Sequence, residues 1–519
     1  AARAALASLL CAVTCACLPP TAGAQNPSTV SAVPVPPEQI DAAIAQIDTV
    51  AADVMRKTEI PGMAIAVVRD DRVVYAKGFG VRRAGSPKRV DAGTVFQLAS
   101  VSKPIGATVI SRLVGQRKLR WTDPVAKHLP WFRLADRPTT RAVSLADMYA
   151  HRSGLPDHAG DLLEDLGFHR RQILRRLRFE PLAPFRANYA YTNFGITAAA
   201  EAAARSQRKS WADLSRDLLY RPLGMSSTSS LFSAFARRAN RAHGHVRVGG
   251  RWVARLTRQP DAQSPAGGVS SSVDDVAKWL RLMLADGAFN GRRVVRAAAL
   301  AEMLTPVNPL RTIAAPNVRP SLTGLGIDTS VDPTGRVRFE HSGAFALGAG
   351  TVVTWIPDLS LGIVTLTNAA PVGAAETVNA TFLELAEQGR SEFDWLAGYE
   401  SLFAAMMDNP SRLAKDRRPA RPRPPRPLHA YYGRYGNPYF GQLRVVREGR
   451  RLAIALGPAK RRQRFALRHW SGDTYSYEPR GENAVGISAV RFSGGNRGRA
   501  GVVTVEYLDE NGLGTFRRR

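Results

Sequence analysis

The chain reads as an α+β protein: an antiparallel sheet flanked by helices, with an all-helical subdomain, followed by a small β-barrel. Three observations predict this. Near the start, a helix, a two-run hairpin (MAIAVVRDDRVVYAKGFG) and a second apolar helix follow one another. After residue 336, RVRFEHSGAFALGAG, TVVTWIPD and LSLGIVTLTN form three strands with tight connections. Finally, the stretch RRPARPRPPRPL separates everything before it from short alternating runs with Gly-rich turns between 430 and 519.

A length of 519 residues suits two to three domains, and 45% hydrophobic with 8% aromatic residues is the composition of a globular core. The net charge is +29, yet 62 of the 72 basic residues are arginine scattered through an Ala-rich chain. That is the mark of a GC-rich coding bias. No zinc-finger spacing, RNP-type motif or compact basic helix supports nucleic-acid binding. Weak attraction to anionic polymers or membrane surfaces is the milder expectation.

Residues 1–24 read as a secretory signal: Arg3, an apolar run from Ala4 to Leu18, and Ala22-Gly23-Ala24 before Gln25. A periplasmic or secreted bacterial location follows. The apolar run is too short to span a membrane, and no later run reaches about 18 apolar residues. Cys11, Cys15 and Cys17 all lie in this segment, so its removal leaves no cysteine, which excludes thiol catalysis, disulfides and Cys-ligated metal. Lipid attachment at one of them is the alternative; the residues before each fit it poorly.

Residues 25–37 form a proline-spaced tether, and Ile40, Ile44, Ile47, Val50 and Val54 then line one helix stripe. The hairpin turns at Asp70-Asp71. In FQLASVSKPIGATVISRLV, Ser100 and Lys103 stand three apart at a helix start and share one face, with Pro104 tolerated in the first turn. Lysine, unlike arginine, can be tuned by burial to release its proton, so it can serve as base to a serine nucleophile. A Ser-x-x-Lys quartet alone is weak, since about one is expected by chance. The second, Ser206 to Lys209, lies in a polar run and reads as a solvated helix end.

Residues 121–160 look like short helices ended by turns, with His151 a helix-terminal residue read as structural and, alternatively, as catalytic. The Arg/Leu-rich stretch 161–179 forms the wall of a helical subdomain. Tyr191 and Asn193 precede an Ala-rich helix; alone, they read as core and cap. His243 and His245 lack further ligands at metal-site spacing and read as a strand edge. Ser272 with Asp275 opens the helix VDDVAKWLRLML in capping-box fashion. His341-Ser342-Gly343 ends a strand, where the glycine lets a substrate backbone approach. The parts are thus a large α+β domain at 38–393, a helix and linker at 394–427, and a barrel of roughly eight strands at 428–519.

Taken in order, Ser100-x-x-Lys103, Tyr191-x-Asn193 and His341-x-Gly343 resemble the serine β-lactamase and penicillin-binding-protein superfamily. With IPGMAIAVV, DPVAKHLP, HRSGLPD and PAGGVSSS, the resemblance covers roughly 40–385 and points to the branch of class C β-lactamases, D-alanyl-D-alanine peptidases, D-aminopeptidases and esterases. The barrel is similar to lipocalin-like barrels appended to some serine peptidases of that branch. The resemblance implies a β-lactamase-like antiparallel sheet and an active site between sheet and helical subdomain. It implies that Ser100 forms an acyl-enzyme, that Lys103 and Tyr191 move its proton, and that Asn193 binds a substrate amide. His341 helps protonate the leaving group, and Ser342, Gly343 and Ala344 line the substrate. The N–H groups of Ser100 and Ala344 form the oxyanion hole.

The departure is at His341, where class C β-lactamases resemble Lys-Thr-Gly. A mostly neutral histidine is a poorer anchor for an antibiotic carboxylate, which favours a peptidase, D-aminopeptidase or esterase. A β-lactamase, and a penicillin-binding sensor with slow turnover, are the alternatives. No cofactor or metal is expected; the expected partner is a small peptide, amide or ester, with self-association through the barrel. The stiff, self-repelling linker predicts a barrel held out from the hydrolase domain, adding no chemistry and gating the cleft or serving as a surface-binding appendage.

Overall fold

The structure, a computed structural model, describes residues 32–310, 320–406, 408–496 and 498–519. The proposed signal and most of the tether lie outside the described residues. The stripe from Ile40 to Val54 forms two helices, α1 (Pro37–Ala45) and α2 (Ile47–Thr58), with Gln46 breaking them. Proline begins α1, where its missing N–H costs nothing. The hairpin follows as β1 (Gly62–Arg69) and β2 (Arg72–Gly80), and both turn residues take positive φ, Asp70 at 49° and Asp71 at 58°. That is the twist a two-residue hairpin turn requires.

Next come α3 (Ser102–Gly115), then a helical subdomain of short helices ending in the longer α4 (Asn193–Ser206), and α5 (Val273–Leu284). The later strands are β3 (Asn308–Pro309), β4 (Leu322–Thr323), β5 (Asp328–Val331), β6 (Val337–Phe345), β7 (Ala349–Ile356) and β8 (Leu361–Thr367). They join the hairpin in one antiparallel sheet of order β2-β1-β8-β7-β6-β5-β4-β3. β1, β7 and β8 are central and buried almost throughout, because helices cover both faces. On one face α1, α2 and α6 (Ala374–Gln388) bury Ile40, Ile47, Val54, Val378 and Phe382. On the other, α3, α5 and the helical subdomain form the larger core around Val101, Ile105, Trp279 and Trp355.

After α7 (Trp395–Met406) and the proline-rich segment come nine short strands. They are β9 (Gly433–Asn437), β10 (Gly441–Glu448), β11 (Arg451–Leu456), β12 (Gln463–Ala466), β13 (Arg468–Ser471), β14 (Thr474–Tyr477), β15 (Ser488–Ser493), β16 (Val502–Val505) and β17 (Thr515–Arg518). Their order, β12-β11-β10-β9-β17-β16-β15-β14-β13, nearly closes a barrel filled by Tyr435, Phe440, Leu443, Ile454, Phe492 and Phe516. The count is nine rather than about eight, since four-residue strands such as β12 and β13 are hardly separable in sequence.

The barrel is not held out from the hydrolase domain. Asp165, at the end of a short helix, accepts bonds from Glu482 N (2.8 Å), Asn483 N and Nδ2 (3.0 Å each) and Tyr507 Oη (3.0 Å). Arg176 Nε donates to Tyr439 O at 2.9 Å. The linker itself runs along the barrel: Arg426 Nε meets Asp473 at 2.9 Å and Arg423 N donates to Ser471 Oγ. Local stiffness sets the linker's reach, but the buried Asp165 carboxylate, which needs donors once out of water, decides where the barrel sits.

Candidate active site

Ser100 lies in a single tight turn (Ala99–Val101) leading into α3, and Ala99 before it is held at φ 46° while wholly buried. A non-glycine residue there is unfavourable on its own and persists only where its surroundings fix it. α3 then carries Lys103 back over the turn, with its Nζ 2.9 Å from Ser100 Oγ. The Tyr191 hydroxyl stands 2.6 Å from the same oxygen.

Lys103 is fully buried, and its Nζ donates to Asn193 Oδ1 (2.8 Å) and Ala266 O (3.0 Å). Burial pushes its pKa down to about 7, with the Asp161 and Asp328 carboxylates opposing that fall. A neutral amine has two N–H bonds and one lone pair. Asn193 and Ala266 take the two hydrogens, which leaves the lone pair for the Ser100 hydroxyl. Tyr191 is driven the other way: burial holds its phenol above the ordinary range, so it stays protonated. The two neighbours of Ser100 are thereby set apart as an acceptor and a donor of protons.

The loop before α4 is pinned from several sides. His158 N donates to Tyr191 O at 2.8 Å, Thr192 N to His151 Nδ1 at 3.0 Å, and the Asp157 carboxylate takes Tyr191 N. The imidazole rings of His151 and His158 lie 4.7 and 5.6 Å from the Tyr191 ring. Burial, and then the Lys103 charge, hold His151 well below its usual pKa, so it is the neutral acceptor that its bond from Thr192 requires. Its role here is to support Tyr191 rather than to meet the helix-end carbonyls.

Several expectations change. Asn193 was expected to bind a substrate amide; here its Oδ1 takes Lys103 and one Nδ2 hydrogen goes to Asp161 Oδ2 at 2.9 Å, so it also links those two charged groups. Ser342 was expected to touch substrate; its side chain instead donates to Glu376 Oε1 on α6, at 2.5 Å, behind the sheet. Alternation along β6 forces this, since His341 and Gly343 occupy the opposite, buried face. His341 does reach the site but is ill-suited to protonate a leaving group. Burial, then the Lys103 charge, pushes its pKa down to about 3, and its Nδ1–H points to Ser342 O at 2.7 Å.

Gly343, expected to let a substrate backbone approach, is packed instead against the nucleophile turn. A Cβ there would lie 2.5 Å from Leu98 O and 2.9 Å from Ser100 N, so a side chain would push β6 off the nucleophile turn. Ala344 follows it on the same strand.

The sequence reading missed Asp161, His158 and Asp328. Asp161 Oδ2 also takes His158 Nδ1 at 3.0 Å, while its Oδ1 is buried without a partner. Burial works against His158, but the bond to Asp161 and its charge hold the pKa above the ordinary value. Asp328 on β5 is pushed up to about 7 by burial and by Glu340 across the strand pair. The run PDHAGD, with two acids and a histidine within five residues beside a motif already noted, was the available signal.

Ser206 and Lys209 do not meet: Ser206 Oγ donates to Ala203 O and Lys209 pairs with Asp217, as a solvated helix end should. A cavity of about 600 Å³ lies between the helical subdomain and the barrel, near Trp131, Arg171, Arg205 and Arg461, and none of Ser100, Lys103, Tyr191 or His341 lines it. Among the described residues, no group of three His, Cys, Asp or Glu side chains is arranged to hold a metal ion. No described helix is long and apolar enough to cross a membrane.

A serine whose hydroxyl lies between a buried lysine and a half-buried tyrosine, beside an antiparallel sheet, defines a serine hydrolase of the β-lactamase and penicillin-binding-protein superfamily. Residues 47–388 match the Beta-lactamase family model, and the chain belongs to that family. Residues 417–513 match a domain of unknown function, DUF3471. An unguisins hydrolase from Aspergillus campestris is 28% identical over 425 residues, covering 76% of this chain and 77% of its own. Penicillin-binding protein 4 from Amycolatopsis lactamdurans is 30% identical over 253 residues, 47% of this chain and 65% of its own. The octameric penicillin-binding protein homologue from Pyrococcus abyssi has the same fold, with a TM-score of 0.58 over 91% of this chain and 99% of that one at 18% identity.

Proposed function

We propose that this hydrolase cleaves a small amide or ester through an acyl-enzyme at Ser100, as a peptidase, D-aminopeptidase or esterase, in the periplasm or outside the cell. The observation that carries the reading is the placing of Lys103 Nζ within hydrogen-bond distance of Asn193 Oδ1, Ala266 O and, at 2.9 Å, Ser100 Oγ: in the neutral amine the first two take the hydrogens and the lone pair is left for Ser100. Lys103 takes the hydroxyl proton as Oγ attacks the substrate carbonyl. The oxyanion is held by the N–H groups of Ser100 and Ala344, and losing one such donor typically costs about 10²–10³ in rate. Tyr191, protonated and 2.6 Å from Oγ, gives its proton to the leaving group and regains one from Lys103. Water then enters, Lys103 takes its proton, and the acid or carboxylate product leaves as Ser100 regains its hydrogen.

A neutral His341 gives a substrate carboxylate no fixed cation, which supports amides and esters over β-lactam antibiotics. The apolar run and small-residue site before Gln25 support the location. The barrel is read as lipocalin-like on its nearly closed, filled sheet, and as a surface for self-association.

Intact-protein mass spectrometry with a fluorophosphonate and a fluorescent penicillin side by side tests the reading. One fluorophosphonate adduct, lost in Ser100→Ala, is expected. An adduct mapping to Ser206, or none on folded protein, overturns it.

A further inference from the structure

The loop 478–487, between β14 and β15, is wedged against the hydrolase domain. Gly481, at φ 140°, lies so close to Asp165 that a Cβ would fall 2.2 Å from its Cγ. The next residue, Glu482, donates its N–H to Asp165 Oδ1 at 2.8 Å and turns its side chain, 12% exposed, toward the end of β6. There Glu482 Oε1 accepts the N–H of Ala346 at 2.5 Å, and the carboxylate also faces the Leu347 N–H. Among the described residues, no other acceptor meets the Ala346 N–H.

This contact matters because of where Ala346 sits. It belongs to the turn 345–348, closed by Gly348 N donating to Phe345 O at 2.9 Å, and that turn continues β6 directly from Gly343 and Ala344. Gly343 lies against Ser100 N, so the height of this strand end over the nucleophile turn decides where the Ala344 N–H points. The surroundings of Glu482 are equally fixed. Its Oε2 is 3.7 Å from Arg258 Nε, and Arg258, paired with Glu164 at 2.6 Å, lays its guanidinium 5.2 Å from the centre of the Phe345 ring. Arg258 O in turn takes Gln97 Nε2 at 2.9 Å, three residues before Ser100.

We propose that Glu482 is a positioning residue of the active site: the barrel supplies the acceptor that fixes the turn 345–348 and so holds the Ala344 N–H in line for the oxyanion. The inference rests on the acyl-enzyme reading above. It also revises the expectation that the barrel adds nothing to the chemistry, because the oxyanion strand is incomplete without a side chain from residue 482.

Two substitutions in the full-length protein separate this from a charge effect. Glu482→Gln keeps an oxygen at the same reach and removes the charge. Glu482→Asp keeps the charge and withdraws it by one methylene, about 1.5 Å. The probe is p-nitrophenyl acetate, read as burst rate, kcat and KM, with unfolding midpoints to verify the fold. A misplacement of this size is worth about ten- to a hundredfold in rate. Glu482→Asp is therefore expected to lose that much in burst rate at nearly unchanged KM, and Glu482→Gln to stay within about threefold of wild type. Tyr507→Phe, which removes another bond to Asp165 without touching Ala346, is expected to behave as wild type.

An unchanged burst in Glu482→Asp overturns the proposal, as does the reverse order of the two variants or an equal loss in Tyr507→Phe. Hydrogen exchange at the Ala346 amide adds a readout free of activity: protected in wild type and Glu482→Gln, faster in Glu482→Asp. Equal exchange in all three overturns the proposal even if wild-type Ser100 never acylates, an outcome that would separately remove the acyl-enzyme reading.

Discussion

Replacing Asp161 by asparagine should move the acid limb of the acylation profile to lower pH. Lys103 works as a free amine, and burial places its pKa at about 7. At pH 6 about one-tenth of the wild-type enzyme then holds the base free, and at pH 8 about nine-tenths. The rate should fall tenfold per unit below about pH 6 and level off above about pH 8. Asp161 is one of the two carboxylates that oppose the depression. It stands behind the Asn193 amide, bonded to Nδ2 while Lys103 is bonded to Oδ1. Two hydrogen bonds and one amide span roughly 7 Å. At an effective dielectric of about 20, two unit charges at that distance interact by about 2 kcal/mol, between one and two pH units.

Asp161→Asn keeps an oxygen for Asn193 Nδ2 and removes only the charge. Its acid limb is expected near pH 5 to 6, with the plateau rate changed far less than the midpoint. Stopped-flow bursts with a p-nitrophenyl ester from pH 5 to 9 measure both. A limb that stays at about 7 would show that Asp161 does not act on the base. A wild-type rate that instead falls as pH rises through about 7 would mean that the working form of Lys103 is the ammonium ion, which would refute the reasoning at its root.

The same depression affects stability. The folded pKa of Lys103 lies near 7 and the ordinary value is 10.5, so between them the unfolded chain binds the proton and the folded chain does not. Stability relative to Lys103→Met should therefore rise with pH from about 7 to about 10 in urea titrations; a flat difference would argue against a buried neutral amine. Lys103→Ala and Tyr191→Phe should each cost several orders of magnitude in kcat/KM, with the double variant little worse than either, since both serve one proton path. Full additivity would separate their roles. Gly343→Ala places a methyl 2.5 Å from Leu98 O and from Thr351 Oγ1, and should slow acylation about a hundredfold while folding persists; wild-type rates would show that β6 has room to move. Cephalosporin turnover should stay well below the common enzymatic range of about 10⁴ M⁻¹s⁻¹, because the His341 imidazole is neutral.

Much of the architecture was legible in the chain because it is written in local periods. The apolar run of β1 and the stripe from Ile40 to Val54 declare their elements directly, and Ser100, Lys103 and Tyr191 meet as their motif order implied. The orientation of Ser342 was also available: once His341 and Gly343 face the nucleophile, period two sends the residue between them to α6. The state of His341 was not, because it depends on burial and on a lysine brought in from another element. Asn193 illustrates the same limit. Its motif marks it as part of the site, but whether its amide is free for substrate is decided by Lys103 and Asp161, 90 and 32 positions away.

The barrel makes the strongest case that stiffness and placement are different properties. Proline and like charge report how far residues 416–427 keep their direction, and nothing about what waits at the end. The docking is set by Asp165, whose donors lie 317, 318 and 342 positions on, and by Arg258, which faces Glu164 from the hydrolase domain and Glu482 from the barrel. Removing residues 428–519 would leave Asp165 without four of its donors and the Ala346 N–H without its acceptor. A truncated chain would therefore be an altered active site as well as a smaller protein. Its kinetics on long and short substrates would mix access with oxyanion geometry, which is why single substitutions at Glu482 test the barrel's contribution more cleanly than deletion does.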